Sequence, residues 1–188
     1  VAAPRLQTLI SQAHIKQTIA RLATEIRRDY SHTAPCLLGT LKGSFMFLAD
    51  LARALALPVE VAFMRVASYG SGTVSSGKVE VVQQLCEDIR GRDILVVEDI
   101  VDSGRTLAFL QTYLAQRAPA SIRVCTLLDK PQRRLFPVTI DYCGFTIPDV
   151  FVVGYGLDWN EQYRHLPDIC LLQPAGGAGS TTFLLETR

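Results

Sequence analysis

The strongest constraint on the fold of this chain is the stretch Ile94–Leu107, where an apolar run meets acidic residues and a glycine turn. Residues 94–97 are apolar and mostly β-branched, which predicts a strand buried on both faces of a sheet. Three carboxylates follow this run: Glu98, Asp99 and Asp102. Acidic residues are seldom buried unless they have a partner, so this strand end is expected to hold a ligand.

A tight turn with hydroxyl groups and a glycine, Ser103–Thr106, joins this strand to the apolar spacing of a helix. Glycine permits close backbone approach, and the N–H groups and dipole of a helix start attract an anion, so the turn is typical of a phosphate site. The neighbouring carboxylates suit sugar hydroxyls or a divalent metal, and a phosphorylated sugar would satisfy both halves. The alternative, an ordinary capped turn, accounts for Ser103 and Thr106 but not for the three acids.

The composition indicates one globular domain. The chain has 188 residues, 48% of them hydrophobic, and a formal net charge of +1. A near-neutral chain has no long-range attraction to nucleic acid, and no apolar run reaches the roughly 20 residues that a membrane helix needs. Five cysteines show no C-x-x-C spacing, and three lie in apolar runs, which predicts buried thiols rather than disulfides or a metal site. Together with the lack of a secretory signal pattern, this predicts a cytoplasmic protein without nucleic-acid or membrane partners.

Strand and helix patterns alternate along most of the chain. Helices are predicted over residues 11–29, after Ser44 with Phe47, Leu48, Leu51 and Leu55 on one face, and over about 104–117. Further strands are predicted at 36–41, 59–66, 79–84, 121–128, 138–143, within 147–156 and at 169–172. The alternation predicts an α/β fold, with one mainly parallel, twisted sheet flanked by helices on both faces. We expect one domain over residues 1–174, with its core at about 36–172, and a flexible tail over 175–188.

Charged residues follow several of the predicted strands. Lys42, Lys130 and Asp158 each come after an apolar strand pattern. Because ligands bind at the carboxyl ends of the strands in such sheets, these residues and Glu98–Thr106 are expected to converge on one edge. Taken alone, Lys42 suits a second anion site and a solvated loop charge equally well.

The segment Ala67–Gly77 is dominated by glycine and serine and is too flexible to pack as a helix or central strand. Ser68 and Tyr69 stand at its start. A plain flexible hairpin and a lid over a reacting centre both fit this segment, and composition alone favours the hairpin.

The stretch 94–107 resembles the fingerprint of type I phosphoribosyltransferases, which bind phosphoribosyl pyrophosphate (PRPP). Four further segments resemble hypoxanthine(-guanine) phosphoribosyltransferases in order and spacing: Leu41–Asp50, Ser68–Thr73, Leu127–Pro131 and Phe151–Asp158. The resemblance runs from about Leu37 to Leu172. It implies the type I phosphoribosyltransferase fold with a small hood subdomain that binds the base. It also implies transfer of ribose 5-phosphate from PRPP to N9 of hypoxanthine and/or guanine, giving IMP or GMP and pyrophosphate.

The resemblance implies a binding role for each matched residue. The residues implied to bind the phosphoribosyl group are Glu98, Asp99, Asp102, Ser103, Gly104, Arg105 and Thr106. Those implied to bind pyrophosphate are Lys42, Gly43 and Arg164. Those implied to bind the purine are Lys130, Phe151 and Val152, and those implied to close over the site as a lid are Ser68 and Tyr69. The implied cofactor is Mg²⁺, and its implied ligands are Glu98, Asp99 and Asp158.

Some implied roles are more specific. Asp102 would handle a proton at purine N7 as a general acid/base. Lys130 would donate a hydrogen bond to the exocyclic O6, which selects 6-oxopurines over adenine. The family also implies a cis peptide bond between Leu41 and Lys42. Arg105 fills a turn position that varies in the family, where a phosphate contact and a solvent-facing side chain both fit, and we favour solvent.

Two other functions remain open at this stage. A xanthine-preferring enzyme would share O6 recognition and differ only in backbone contacts at C2. A PRPP-sensing regulator would keep the fold but would need a basic face or an added DNA-binding module, which the near-neutral charge does not favour. The family also implies a homo-oligomer, either a dimer or a tetramer.

Overall fold

The structure is a computed structural model that describes residues 4–69, 78–83, 85 and 88–173. The predicted tail at 175–188 and the core of the glycine- and serine-rich segment, 70–77, lie outside the described residues. The elements in chain order are β1 (Arg5–Ile10), α1 (Gln12–Asp29), β2 (Cys36–Leu41), α2 (Phe45–Leu55), β3 (Glu60–Tyr69), β4 (Lys78–Gln83), β5 (Asp93–Val101), α3 (Arg105–Ala115), β6 (Ser121–Asp129), a 3-10 turn (Pro131–Arg133), β7 (Tyr142–Thr146), β8 (Val152–Val153) and β9 (Ile169–Gln173).

A six-stranded sheet forms the centre of the molecule, with the strand order β4-β3-β2-β5-β6-β7. All neighbouring strands in it are parallel except β3 and β4, which are antiparallel. The α/β prediction is therefore confirmed. The chain runs outwards from β2 to β4 on one side and from β5 to β7 on the other. The strand order thus reverses between β2 and β5, and ligands bind in sheets of this kind at such a switch point.

Helices cover both faces of this sheet because its central strands are apolar on both sides. On one face, Leu37 of β2 and Leu95 of β5 are fully buried in a cluster with α1 and α2. On the other face, Leu38 and Val96 pack in a second cluster with Leu110 of α3. Each buried leucine of this kind contributes about 1.5–3 kcal/mol through removal of its apolar surface from water.

A second, three-stranded antiparallel sheet has the order β1-β9-β8. Strand β1 was not predicted from the sequence. It pairs with β9 near the other end of the chain, with Arg5 opposite Gln173 and Ile10 opposite Ile169. This small sheet corresponds to the hood subdomain that the resemblance implied. Its edge strand β8 contains Val152.

The prediction of a strand at 138–143 is wrong in its bounds, because β7 spans Tyr142–Thr146. Asp141 holds the preceding segment outside the ladder: its N–H donates to the Val124 carbonyl, and its carboxylate accepts from the Val124 N–H. Regular pairing begins one residue later, with Tyr142 opposite Cys125. Val138 and Ile140 supply a strand-like composition, but they pack against the cluster around α3.

The predictions for the cysteines and for membrane helices can be compared with the described residues. Cys36, Cys125, Cys143 and Cys170 are not in disulfide bonds, and all except Cys143 are buried. In the part of the chain that the structure describes, no helix is long and apolar enough to cross a membrane.

Candidate active site

The carboxyl ends of β2 and β5 open into a cleft made of two adjoining cavities. Both cavities are lined by Leu41, Val66, Asp99, Ile100 and Asp102, so they lie next to each other. The first cavity adds the strand end and turn of β5 and α3, with Glu98, Ser103, Gly104 and Thr106. The second adds Lys42, Gly43, Lys130, Phe151, Val152, Asp158 and Arg164. The expected convergence of strand ends on one edge is therefore observed.

The turn at 102–106 is shaped to leave the start of helix α3 open to an anion. Gly104 is the N-cap residue with φ +81° and gives no side-chain cap. The Arg105 N–H donates to the Ser103 hydroxyl at 3.4 Å, and the N–H groups of a helix start that have no such partner are available to a ligand. The Ser103 carbonyl accepts hydrogen bonds from the N–H groups of Leu135 (2.9 Å) and Phe136 (3.0 Å). A Cβ at Gly104 would lie 2.7 Å from the Phe136 carbonyl oxygen, which makes glycine necessary here.

Glu98 is a buried carboxylate with one unsatisfied oxygen. Its side chain is 6% exposed; Oε2 accepts a 2.5 Å hydrogen bond from the Thr40 hydroxyl, and Oε1 has no partner among the described residues. Burial, and secondarily the charge of Asp99, raises the pKa of Glu98 to about 8. Such a group gains free energy from a donor or cation that reaches its free oxygen.

Asp99 stands between opposing charges. Burial raises its pKa to about 6, while backbone N–H groups and the Arg164 guanidinium lower it and the Asp158 carboxylate raises it. The repulsion between the carboxylates of Asp99 and Asp158 makes the space near them favourable for a cation. The described residues contain no cluster of three metal-ligating side chains. The carboxylates of Asp99 and Asp158 nevertheless fit magnesium, because this ion is held by one or two carboxylates together with water and ligand oxygens.

Two cations, Lys42 and Arg164, line the second cavity next to a backbone turn at Lys42. The Leu41–Lys42 peptide bond is cis, as the resemblance implied. At Gly43 a Cβ would overlap the Asp99 carboxylate, so only glycine lets this turn approach the acidic strand end. Arg164 is held in place by the Gly156 carbonyl at 2.7 Å and by Asp158 at 2.8 Å.

A buried ammonium also lines the second cavity. Lys130 is 5% exposed, and burial lowers its pKa, an effect that the carboxylates of Asp102 and Asp149 oppose. Phe151 also lines this cavity and is 53% exposed, while Val152 is buried. The Nε atom of Arg133 lies 3.2 Å from Oδ1 of Asp102. A flat heterocycle could therefore stack on the ring while it accepts a hydrogen bond from the ammonium.

One predicted residue, Arg105, is not brought into the cavity lining. The guanidinium of Arg105 lies 5.2 Å from the centroid of the Phe136 ring, and Arg105 lines neither cavity. Ser68 and Tyr69 end strand β3, and their side chains lie outside what the structure describes.

The sequence reasoning missed several residues of the cleft: Thr40, Arg65, Arg133, Leu157 and Glu161. Thr40 carried a signal, since a hydroxyl near the end of an apolar strand has to find a partner. Glu161 and Arg133 carried none, because exposed charges in loops are common in any protein.

Comparison with known proteins identifies the family of this chain. The fold and the acidic turn define the class of phosphoribosyltransferases: the model of the phosphoribosyl transferase domain family matches residues 7–160. The chain is 49% identical over 164 residues to the hypoxanthine phosphoribosyltransferase of Salmonella typhimurium, covering 86% of this chain and 92% of that one. It is 46% identical over 169 residues to the hypoxanthine-guanine phosphoribosyltransferase of Bacillus subtilis, covering 90% and 94%.

A solved structure gives the same result. The crystal structure of a hypoxanthine phosphoribosyltransferase from Staphylococcus aureus superposes with a TM-score of 0.85 at 39% identity, covering 89% of this chain and 91% of that one. The chain belongs to the family of hypoxanthine and hypoxanthine-guanine phosphoribosyltransferases.

Proposed function

We propose that this enzyme transfers the 5-phosphoribosyl group of PRPP to N9 of hypoxanthine and/or guanine, giving IMP or GMP and pyrophosphate for purine salvage. The observation that carries the proposal is the single cleft at the switch point between β2 and β5. It joins an anion turn, a carboxylate with a free oxygen, a pair of cations and a buried ammonium. The relatives named above are enzymes of this kind, and this chain covers 92% and 94% of their length.

The sugar and its phosphate would occupy the first cavity. The 5-phosphate binds to Asp102–Thr106 through backbone N–H groups and hydroxyls, which need no cation at this end. The ribose hydroxyls donate to Glu98 and Asp99, and the free Oε1 of Glu98 is the acceptor that needs such a donor. The side chain of Arg105 takes no part in the phosphate contact, because its guanidinium lies over the Phe136 ring.

Pyrophosphate would bind to the two cations of the second cavity, Lys42 and Arg164, and leave from there. Lys42 contributes a point charge, and Arg164 contributes the forked geometry that suits phosphate oxygens. Gly43 lets the backbone approach the ligand closely. Magnesium, held by Glu98, Asp99 or Asp158 together with ligand oxygens, would neutralise charge on the departing pyrophosphate.

The purine would bind between the Phe151 ring and Lys130. The Lys130 ammonium donates to O6, whereas adenine would place an amino group against it, donor facing donor. The backbone of Val152 reads the edge of the base. The Asp102 carboxylate, close to the phosphate turn and within the purine cavity, exchanges the proton at N7.

Three further parts of the proposal concern the surroundings of the site. Ser68 and Tyr69 would close over the reacting centre and exclude water. The cysteines without disulfide bonds suit a reducing compartment, so we place the enzyme in the cytoplasm. A dimer or tetramer stays a prediction from the family.

The test is to incubate the purified protein with PRPP, magnesium and one base at a time: hypoxanthine, guanine, xanthine or adenine. Chromatography should show IMP or GMP, with one pyrophosphate released per nucleotide, and no AMP. Turnover with xanthine and with none of the other bases would mean that xanthine, rather than hypoxanthine or guanine, is the substrate. Pyrophosphate release with none of the bases, although PRPP binds, would instead favour a PRPP-sensing protein.

A further inference from the structure

The Glu161 carboxylate lies between the two cations that are proposed to bind pyrophosphate. Its Oε2 atom is 2.8 Å from Lys42 Nζ and 3.3 Å from Arg164 Nη2. The hydrogen bonds from Lys42 and Arg164 hold the pKa of Glu161 below its usual range. One oxygen of the chain therefore accepts from both cations at the position where an anionic ligand would accept from them.

The backbone around Glu161 presents its carboxylate to this position. Asn160 and Glu161 have φ values of +51° and +61°, in the left-handed region that side chains other than glycine adopt infrequently. The N–H of Glu161 donates to the Asp158 carboxylate at 2.9 Å, which closes the turn. Glu161 lines the second cavity together with Lys42 and Arg164, yet its side chain is 65% exposed. It is therefore held by charge rather than by packing. A rotation about its side-chain bonds releases the Lys42 ammonium and removes one carboxylate from Arg164, whose Nη2 stays paired with Asp158 at 2.8 Å.

We propose that Glu161 is an internal competitor of pyrophosphate, and that its carboxylate must leave Lys42 and Arg164 before PRPP or pyrophosphate binds to them. The inference rests on the proposed function. A phosphate oxygen and the carboxylate would require the same donors, and two anions at one site repel each other. The exchange lowers the affinity for both ligands, and it speeds the release of pyrophosphate because the carboxylate returns to the cations.

The size of the effect follows from the exposure of the ion pairs. Pairs between solvent-exposed charges are weak, so the competition costs the ligand about three- to tenfold in affinity rather than several orders of magnitude. It should weaken as salt is added, because screening acts on exposed pairs first.

The experiment compares Glu161→Gln with the wild type by titration calorimetry, using pyrophosphate with magnesium and, separately, IMP. Glu60→Gln is the matched control: Glu60 is 67% exposed and pairs with Arg92 at 2.8 Å, at the amino end of β3 and away from the cleft. Glu161→Gln should bind pyrophosphate about three- to tenfold more tightly and leave the dissociation constant of IMP unchanged. Glu60→Gln should match the wild type for both ligands.

Two results would overturn the inference. In the first, Glu161→Gln binds pyrophosphate no more tightly than the wild type or Glu60→Gln. In the second, it tightens IMP as much as pyrophosphate, which indicates a long-range charge effect and not competition at the two cations. The proposed function has a separate readout, since its failure would appear as absence of IMP formation by the wild type.

Discussion

Lys130 is the residue on which base selection depends, because an ammonium buried to 5% exposure has to be matched by an acceptor. Replacing it by alanine removes the donor to O6 and leaves the PRPP contacts intact. Lys130→Ala should lose about 10- to 150-fold in kcat/KM for hypoxanthine, the value of one hydrogen bond to a charged group. PRPP affinity should change by less than about twofold, because Lys130 makes none of the proposed PRPP contacts.

Steady-state kinetics together with PRPP titration check this prediction. Lys16→Ala, an exposed lysine of α1, is the control for loss of one positive charge. Equal losses of base turnover and PRPP affinity in Lys130→Ala would contradict the role in base selection.

Asp102 carries the proton transfer in this account. Asp102→Asn keeps the shape of the side chain but removes the carboxylate, so the turnover number should fall about 10²- to 10⁴-fold. PRPP should still bind, because the backbone N–H groups of the turn are untouched. Single-turnover kinetics and PRPP titration measure the two effects separately, and unchanged turnover would remove Asp102 from the chemistry.

How far individual residues could be predicted depended on their surroundings in the chain. Glu98, Asp99 and Asp102 were predictable because acids at the end of a buried strand have few alternative explanations. Glu161 was not, since its position between two cations arises from elements more than a hundred residues apart in sequence. Arg105 shows the reverse case: the motif includes it, but the Phe136 ring holds its guanidinium elsewhere.

At the scale of elements, the turn between β5 and α3 depends on the segment that follows β6. Gly104→Ala adds a left-handed backbone cost and a Cβ 2.7 Å from the Phe136 carbonyl. Gly91→Ala is a matched control, because Gly91 has φ +69° and nothing lies within 4 Å of its added Cβ. We expect Gly91→Ala to cost about 1–2 kcal/mol and Gly104→Ala to cost more, with loss of PRPP binding.

Urea unfolding of the two glycine variants, with PRPP titration of the folded proteins, measures these costs. Equal destabilisation, with PRPP binding retained in Gly104→Ala, would show that the turn does not depend on the Phe136 contact.

The predictability of elements followed the strength of the local pattern. Strand β2 and helices α1 and α3 were found because their apolar periodicity matches their burial. Strand β1 was missed because only Ile10 of its six residues is buried and because it pairs with a strand about 160 residues away. Strand β7 was displaced because its register is fixed by hydrogen bonds between Asp141 and Val124, which no local pattern of β-branched residues reveals.

At the scale of the whole molecule, the buried acidic strand end makes stability depend on pH. The pKa of Glu98 is about 8 in the folded protein against an ordinary value of 4.5, so the folded state holds its proton more tightly. Its contribution to stability is complete below pH 4.5 and is lost as the pH rises to about 8. Asp99 acts in the same direction at lower pH, since its pKa is raised to about 6.

Glu98→Gln isolates this contribution. With a metal chelator present, we compare the unfolding free energies of the wild type and Glu98→Gln. The value for the wild type minus the value for the variant should fall by about a few kcal/mol between pH 4.5 and pH 8. Urea unfolding across this range measures the difference, and magnesium with PRPP should restore stability to the wild type at pH 8. A difference that does not change with pH would mean that Glu98 is ionised in the folded protein.

The whole architecture was predictable because the alternation of strands and helices leaves few arrangements, and the reversal of strand order then fixes where ligands bind. The second sheet was not derivable in the same way. It joins the two ends of the described chain, and only the family resemblance indicated that a small subdomain should stand beside the main sheet.

The central claim is that one cleft holds a nucleotide with its phosphate at Asp102–Thr106, its ribose at the acidic pair and its base at Lys130. A crystal structure of the protein with IMP tests it most directly. We expect the ribose hydroxyls within hydrogen-bonding distance of Glu98 or Asp99, the phosphate on the turn, and O6 against the Lys130 ammonium. IMP bound with its sugar away from the acidic pair, or with O6 away from Lys130, would contradict the claim.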